Sequence, residues 1–216
     1  MEAHATYADT NTGIDNRKVG IWLFLGSEVM FFSALIAAYL LTRASAGKPY
    51  ETFTEAIPLI SLNTFLLICS SLTMVLSLAF ARRGNQPGLR ISLLLTIVLG
   101  FTFVTIQAVE YNELFHKGLW MNGSPAIELA ALYGFSGEKL IDFTKALQGF
   151  GPPFYLMTGF HGLHVLGGVT WNLLVWFKAM RGGFTRENNL GIELAGLYWH
   201  FVDLVWIVLF TIIYLI

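Results

Sequence analysis

Charged residues are scarce in this sequence. Lys, Arg, Asp and Glu make up 12% of the 216 residues, against about 25% in an average soluble domain. Hydrophobic residues make up 55%, and a chain of this size cannot enclose so many of them in a single water-soluble core. The composition therefore excludes a soluble globular protein. The net charge of −1 also argues against a nucleic acid partner.

Cysteine is almost absent. The single residue, Cys69, lies within an apolar run, which excludes a disulfide framework and a metal site built from cysteines alone. Tandem repeats, low-complexity tracts and a second soluble domain are missing as well. The class that remains is a helical membrane protein with several spans in a single transmembrane domain, residues 1–216.

The most prominent feature of the sequence is a series of long apolar stretches. A membrane-spanning helix needs about 20 mostly apolar residues, and five stretches satisfy this requirement. They cover approximately residues 19–42, 57–81, 91–115, 154–177 and 194–216. The pattern predicts an all-α bundle of five transmembrane helices. Residues 1–18 form a polar N-terminal tail, and residues 116–153 form an outer loop that we expect to be partly helical.

Basic residues predict the orientation, because Lys and Arg favour the cytoplasmic side of a membrane. The side with the N-terminus collects eight of them: Arg17, Lys18, Arg82, Arg83, Arg90, Lys178, Arg181 and Arg186. The other side collects five: Arg43, Lys48, Lys117, Lys139 and Lys145. We therefore predict that the N-terminus is inside and the multi-pass chain resides in the inner membrane of a bacterium.

Five polar residues lie at membrane depth, where they are costly unless paired or neutralised. They are Glu28, His161, His164, His200 and Asp203. With a rise of about 1.5 Å per residue, Glu28, His164 and Asp203 come from three spans to a similar depth. This match favours one shared buried cluster, and the alternative is that each residue is satisfied separately. Glu110 and Glu193 lie nearer the span ends, where snorkelling to water would relieve them.

The His residues do not form a recognisable metal motif. Carboxylate–histidine dimetal sites use Glu-x-x-His on two helices, and zinc helices place His at i and i+4. His161 and His164 are three residues apart, beside Gly162 and Leu163. We predict that the chain holds no metal and has no catalytic residues. A bis-His haem stays open as an alternative, because nearby glycines could admit the ring.

Four segments resemble the subunit III family of haem–copper terminal oxidases. Residues 17–32 contain GSEVMFF, residues 158–165 read TGFHGLHV, residues 191–206 contain YWHFVDLVW, and residues 107–111 read QAVEY. Their order, spacing and placement in the spans agree with the family. The chain is similar to the short bacterial form, which has five spans and lacks the first two of the seven-span form.

The resemblance implies a non-catalytic subunit of a respiratory oxidase that reduces oxygen and pumps protons. Haems and copper are then expected in the partner subunits I and II, while this chain stabilises the catalytic subunit and supports proton uptake through bound phospholipids. Glu28 matches the family's carbodiimide-reactive glutamate, and His164 matches a histidine of the lipid cleft. Lys178 and Arg181 match two cations near a lipid phosphate, although ordinary positive-inside flanking would also explain both.

Other functions remain open at this point. One is a stand-alone proton or ion transporter that uses the buried Glu, His and Asp residues as a relay. Another is the subunit III-like partner of a nitric oxide reductase, which shares the fold and the motifs. The sequence also leaves open whether the electron donor is cytochrome c or quinol, and whether protons pass through Glu28.

Overall fold

The structure, a computed structural model, describes residues 15–46, 57–116, 134 and 136–215. Within these ranges the chain is helical and contains no strand. The helices are α1 (Asn16–Ala46), α2 (Ile57–Arg83), α3 (Gln86–His116), α4 (Glu138–Met180) and α5 (Leu190–Phe210), and α5 continues into a π-helical turn at Thr211–Leu215. The predicted all-α class is confirmed.

Four of the helices are long and apolar enough to cross a membrane: α1, α2, α3 and α5 with its π-helical turn. The longest helix, α4, has 43 residues and contains the fourth predicted span, residues 154–177. It begins well before that span and continues through Pro152 and Pro153, so part of the predicted outer loop is helical. Residues 117–133 and 135 of that loop and residues 1–14 of the tail lie outside the described residues.

The helices pack around α5 and α4. Helix α3 packs against α2 and α4, and α4 packs against α1 and α5. Helix α5 also contacts α2 and α1, which flank it on two sides with at most a marginal contact between them. The face of α5 that lies between α1 and α2 is therefore left uncovered by the other described helices.

Two buried tryptophans of α5 fix its position against the other helices. The indole Nε1 of Trp199 donates a hydrogen bond to Ser70 Oγ at 3.0 Å, and Trp206 donates to Thr64 Oγ1 at 2.9 Å. A Cβ atom added at Gly100 or Gly168 would lie only 2.5 or 2.8 Å from the Trp199 ring. Glycine at these positions lets α3 and α4 approach the ring closely, as small residues do in membrane bundles.

Candidate functional site

Glu28 and His164 lie together between α1 and α4. Glu28 Oε2 is 3.0 Å from His164 Nε2, and His164 Nδ1 is 2.7 Å from the carbonyl oxygen of Phe160. The sequence had placed both residues at the same depth, and the structure brings them into direct contact.

The hydrogen bond between His164 Nδ1 and the Phe160 carbonyl oxygen indicates how many protons the Glu28–His164 pair holds. A carbonyl oxygen only accepts, so Nδ1 carries a hydrogen and donates it to Phe160. The Nε2–Glu28 contact then needs one more proton, held either by the carboxyl group or by Nε2. In both cases the pair has no net charge, which suits a site at membrane depth.

Aromatic side chains of α1 and α5 contact this pair. The Phe32 ring lies edge-on to His164 with the centroids 5.1 Å apart, and Tyr198 donates a hydrogen bond to the His164 carbonyl oxygen at 3.0 Å. The side chains of His164 and Glu28 keep 17% and 18% of their surface exposed. The pair is thus at the edge of the bundle rather than in its centre.

His161 points elsewhere. Its side chain is fully buried, stacked on Trp206 with a centroid distance of 4.8 Å and edge-on to Phe103 at 5.9 Å. Among the described residues, neither ring nitrogen has a hydrogen-bond partner. His161 is therefore packed among aromatic rings between α3 and α5 and forms no hydrogen bond with the pair.

His200 and Asp203 form a second polar group with Ser71 of α2. Ser71 Oγ lies 2.6 Å from His200 Nδ1. Asp203 lies close to both residues, and its Oδ1 is buried with no hydrogen-bond partner among the described residues. The sequence prediction missed Ser71, because nothing in its apolar span distinguishes this serine from the others. The only feature of the sequence that could have indicated Ser71 is that its hydroxyl lies at a depth similar to that of His200.

The five predicted residues do not form one hydrogen-bonded cluster in the described part of the chain. They divide into the Glu28–His164 pair, the group of Ser71, His200 and Asp203, and His161 alone. The reason is helical geometry: a step of three residues turns the side chain by about 60° around the axis. That turn is enough to direct His161 toward α3 and α5 while His164 faces α1.

Lys178 and Arg181 lie exposed at the C-terminal end of α4. Lys178 Nζ sits 4.8 Å from the centroid of the Phe184 ring. Within the described ranges, neither cation pairs with a carboxylate. Both side chains are therefore available to an anionic group, and their role in lipid binding stays a prediction.

The two acids near span ends both have side-chain partners. Glu193 Oε1 accepts from Lys18 Nζ at 2.7 Å, and Arg82 lies 3.9 Å from its other oxygen. Glu110 is buried and accepts a hydrogen bond from the hydroxyl of Tyr214 at 2.7 Å. Snorkelling, the expectation from the sequence, is wrong for Glu110, because the π-helical turn brings Tyr214 over it.

No group of three or more His, Cys, Asp or Glu residues that could hold a metal ion occurs in the described part of the chain. The site thus consists of two small hydrogen-bonded groups at membrane depth and two exposed cations at a helix end. This arrangement can hold protons and attract an anionic group, and Ser71 is the hydroxyl that lies beside an imidazole, that of His200.

Comparison with known proteins decides the family. A family model described as "Cytochrome c oxidase subunit III" matches residues 1–117 and 133–216. The chain belongs to the cytochrome c oxidase subunit III family. The matched ranges include all four segments on which the resemblance rested, and the resemblance to the subunit III family is confirmed.

Relatives in this subunit III family cover nearly the whole chain. Cytochrome c oxidase subunit 3 of Alkalihalophilus pseudofirmus is 31% identical over 93% of this chain and 86% of its own length. A Mycobacterium leprae protein named "Probable cytochrome c oxidase subunit 3" is 36% identical over 92% and 87%. Quinol oxidase subunit 3 of Bacillus spizizenii is 30% identical over 98% and 96%.

Proposed function

We propose that this chain is the non-catalytic subunit III of a respiratory haem–copper oxidase in the bacterial inner membrane. The observation that carries the proposal is the family match, with relatives 30% to 36% identical over more than nine-tenths of the chain. In this assembly, subunits I and II hold the haems and copper and perform oxygen reduction coupled to proton pumping. This chain stabilises subunit I and supports its proton uptake through bound phospholipid.

The polar groups fit a supporting role better than a transport role. The Glu28–His164 pair carries no net charge, and no hydrogen bond connects it to His200 or Asp203 in the described residues. A relay across the membrane would need such a connection. The pair instead joins α1 to α4 at the edge of the bundle, where both side chains keep part of their surface exposed.

Lys178 and Arg181 supply the headgroup end of the proposed lipid site. Exposed cations at an inner span end attract the anionic headgroups of the cytoplasmic leaflet. Their lack of carboxylate partners in the described ranges leaves both charges available for a phosphate.

We also propose five spans with the N-terminus inside, α4 providing the fourth. The test is cysteine labelling of the Cys69→Ser chain with Ala3→Cys or Gly123→Cys, in intact cells and in inverted vesicles. Labelling of the two positions from opposite sides is expected. Labelling of both from one side would contradict this topology.

Purification from native membranes in mild detergent tests the function itself. We expect this chain to co-purify with larger subunits that carry haem and copper, and the isolated chain to show no haem absorption. Haem bound to the isolated chain would favour the bis-His alternative. A complex that contains non-haem iron in place of copper would favour a nitric oxide reductase, and oxidation assays with cytochrome c and with quinol would identify the donor.

A further inference from the structure

A polar group faces out of the bundle in the groove between α1 and α2. His200 of α5 is partly exposed there, with its Nδ1 held by Ser71. In the part of the chain that the structure describes, His200 Nε2 has no hydrogen-bond partner. Nδ1 of the ring therefore has a hydrogen-bond partner, while Nε2 is available to a group that occupies the groove.

The depth of His200 restricts what can satisfy it. From Leu194, where the predicted fifth span begins, to His200 the helix rises roughly 9 Å, which places the imidazole inside a hydrocarbon core about 30 Å thick. Ser71, its partner on α2, lies roughly 15 Å along that helix from the end of the second predicted span. Lipid tails offer no hydrogen bond at this depth, and headgroups do not reach it. An unpaired polar nitrogen there is unfavourable.

The surroundings of His200 are apolar and open. Ile68 and Val75, about one turn before and after Ser71 on α2, are exposed, as are Leu204 and Ile207 on α5. At the inner end, Glu193 of α5 pairs with Lys18 of α1 and lies 3.9 Å from Arg82 of α2. The groove is therefore bridged by charges at one end, and farther along it exposed apolar side chains surround the partly exposed ring of His200.

We propose that this groove docks a transmembrane helix of a partner subunit, whose hydroxyl or amide side chain hydrogen-bonds to His200 Nε2. A helix fits because it brings apolar side chains for the rim and one polar group for the centre. A hydroxyl or amide fits because it can donate or accept, whichever tautomer Ser71 and Asp203 select. The inference rests on the proposed function in one respect, since the partner is then a subunit of the oxidase.

Photo-crosslinking in native membranes tests which molecule occupies the groove. A photoreactive amino acid replaces Leu204, one turn from His200. The expected product is a covalent adduct with a subunit that co-purifies with the complex. Adducts with phospholipid alone, or with a second copy of this chain, would overturn the proposal.

Two substitutions of His200 separate its hydrogen bond from its shape. His200→Leu is expected to weaken retention of the partner about three- to twentyfold, the range for one interhelical hydrogen bond in a membrane. His200→Gln keeps a donor and an acceptor and should restore most of the retention. Thr170→Leu is the matched control, because this exposed hydroxyl already donates to the Leu166 carbonyl oxygen at 2.8 Å.

The outcomes of this proposal and of the proposed function are distinguishable. If His200→Leu and His200→Gln retain the partner equally well, and the Leu204 adduct is unchanged, the docking surface is wrong while the oxidase assignment stands. If haem–copper subunits are missing from the wild-type complex, the oxidase assignment is wrong. A protein adduct at Leu204 that is lost in His200→Leu and restored in His200→Gln would then still support the docking surface.

Discussion

Helices α1 and α5 are held in the bundle in different ways. In the most apolar part of α5, 50% of the residues are buried, but the corresponding figure for α1 is 17%. Helix α5 contributes Trp199 and Trp206 to the interior. Helix α1 instead makes polar contacts at three depths: Lys18 with Glu193, Glu28 with His164, and Arg43 with the Ile212 carbonyl oxygen at 2.7 Å.

This contrast follows from the lipid solvent. Apolar side chains gain little by leaving lipid for another helix, so association depends on close packing and on hydrogen bonds. Helix α5 relies mainly on close packing, with glycines of α3 and α4 against the Trp199 ring, and its two tryptophans add hydrogen bonds to α2. Helix α1 buries little surface, so its attachment depends more on its polar contacts. Substitutions can therefore separate packing from hydrogen bonding.

The largest expected effect is at Gly100, in the packed region. In Gly100→Ala the new methyl group would lie 2.5 Å from the buried Trp199 ring, with Val169 at 3.0 Å. We expect a loss of about 1–3 kcal/mol in the free energy of unfolding, as for other overpacked interiors. Gly26→Ala on α1 is the control, because nothing lies within 4 Å of its added Cβ. Unfolding in detergent measures both, and equal stabilities would refute the packing argument.

A smaller effect is expected at the Glu28–His164 pair. Glu28→Ala leaves His164 Nε2 without its partner and should cost about 0.6–1.7 kcal/mol, the range for interhelical hydrogen bonds in membranes. Glu28→Gln offers an N–H donor to the same nitrogen and should remain within a few tenths of the wild-type value. Cysteine accessibility along α1 would report its loosening. If Glu28→Gln is as unstable as Glu28→Ala, the pair is an ion pair that the amide cannot replace.

The ion pair at the N-terminal end of α1 should contribute less to stability. Lys18 and Glu193 side chains are 34% and 25% exposed, and pairs accessible to solvent contribute about 0–1 kcal/mol. Glu193→Gln is expected to reduce stability by less than this limit, with the difference vanishing at high salt. A salt-independent loss larger than that from Glu28→Ala would reverse the ranking of the α1 contacts.

The smallest effect on stability is expected at Lys178 and Arg181. Both are exposed at the end of α4, so replacing the two with Gln should leave the unfolding free energy unchanged within about 0.5 kcal/mol. Phospholipid that co-purifies with the complex should decrease, together with activity over many turnovers. Arg83→Gln, an exposed cation at the end of α2, provides the control. Unchanged lipid content would leave only the positive-inside role for the two cations.

The sequence alone determined the all-helical class and the family, and it predicted the depth of the polar residues. Run length and scarce charge specify membrane helices because the bilayer thickness and the helical rise are fixed. The depth of a residue can be predicted from its position along its own helix. Matching predicted depths therefore indicated that Glu28 and His164 could be in contact. The motifs in residues 17–32, 158–165 and 191–206 indicated the family, and a matching family model supports that assignment.

Only the tertiary structure decided which residues meet. The direction of a side chain around its helix gains meaning once neighbouring helices are placed, and sequence spacing does not place them. His161 therefore joined an aromatic core, His200 joined Ser71 from a span without distinctive residues, and Glu110 met Tyr214 through a π-helical turn. Each contact joins residues far apart in the sequence, so it depends on the packing of separate helices rather than on any local pattern.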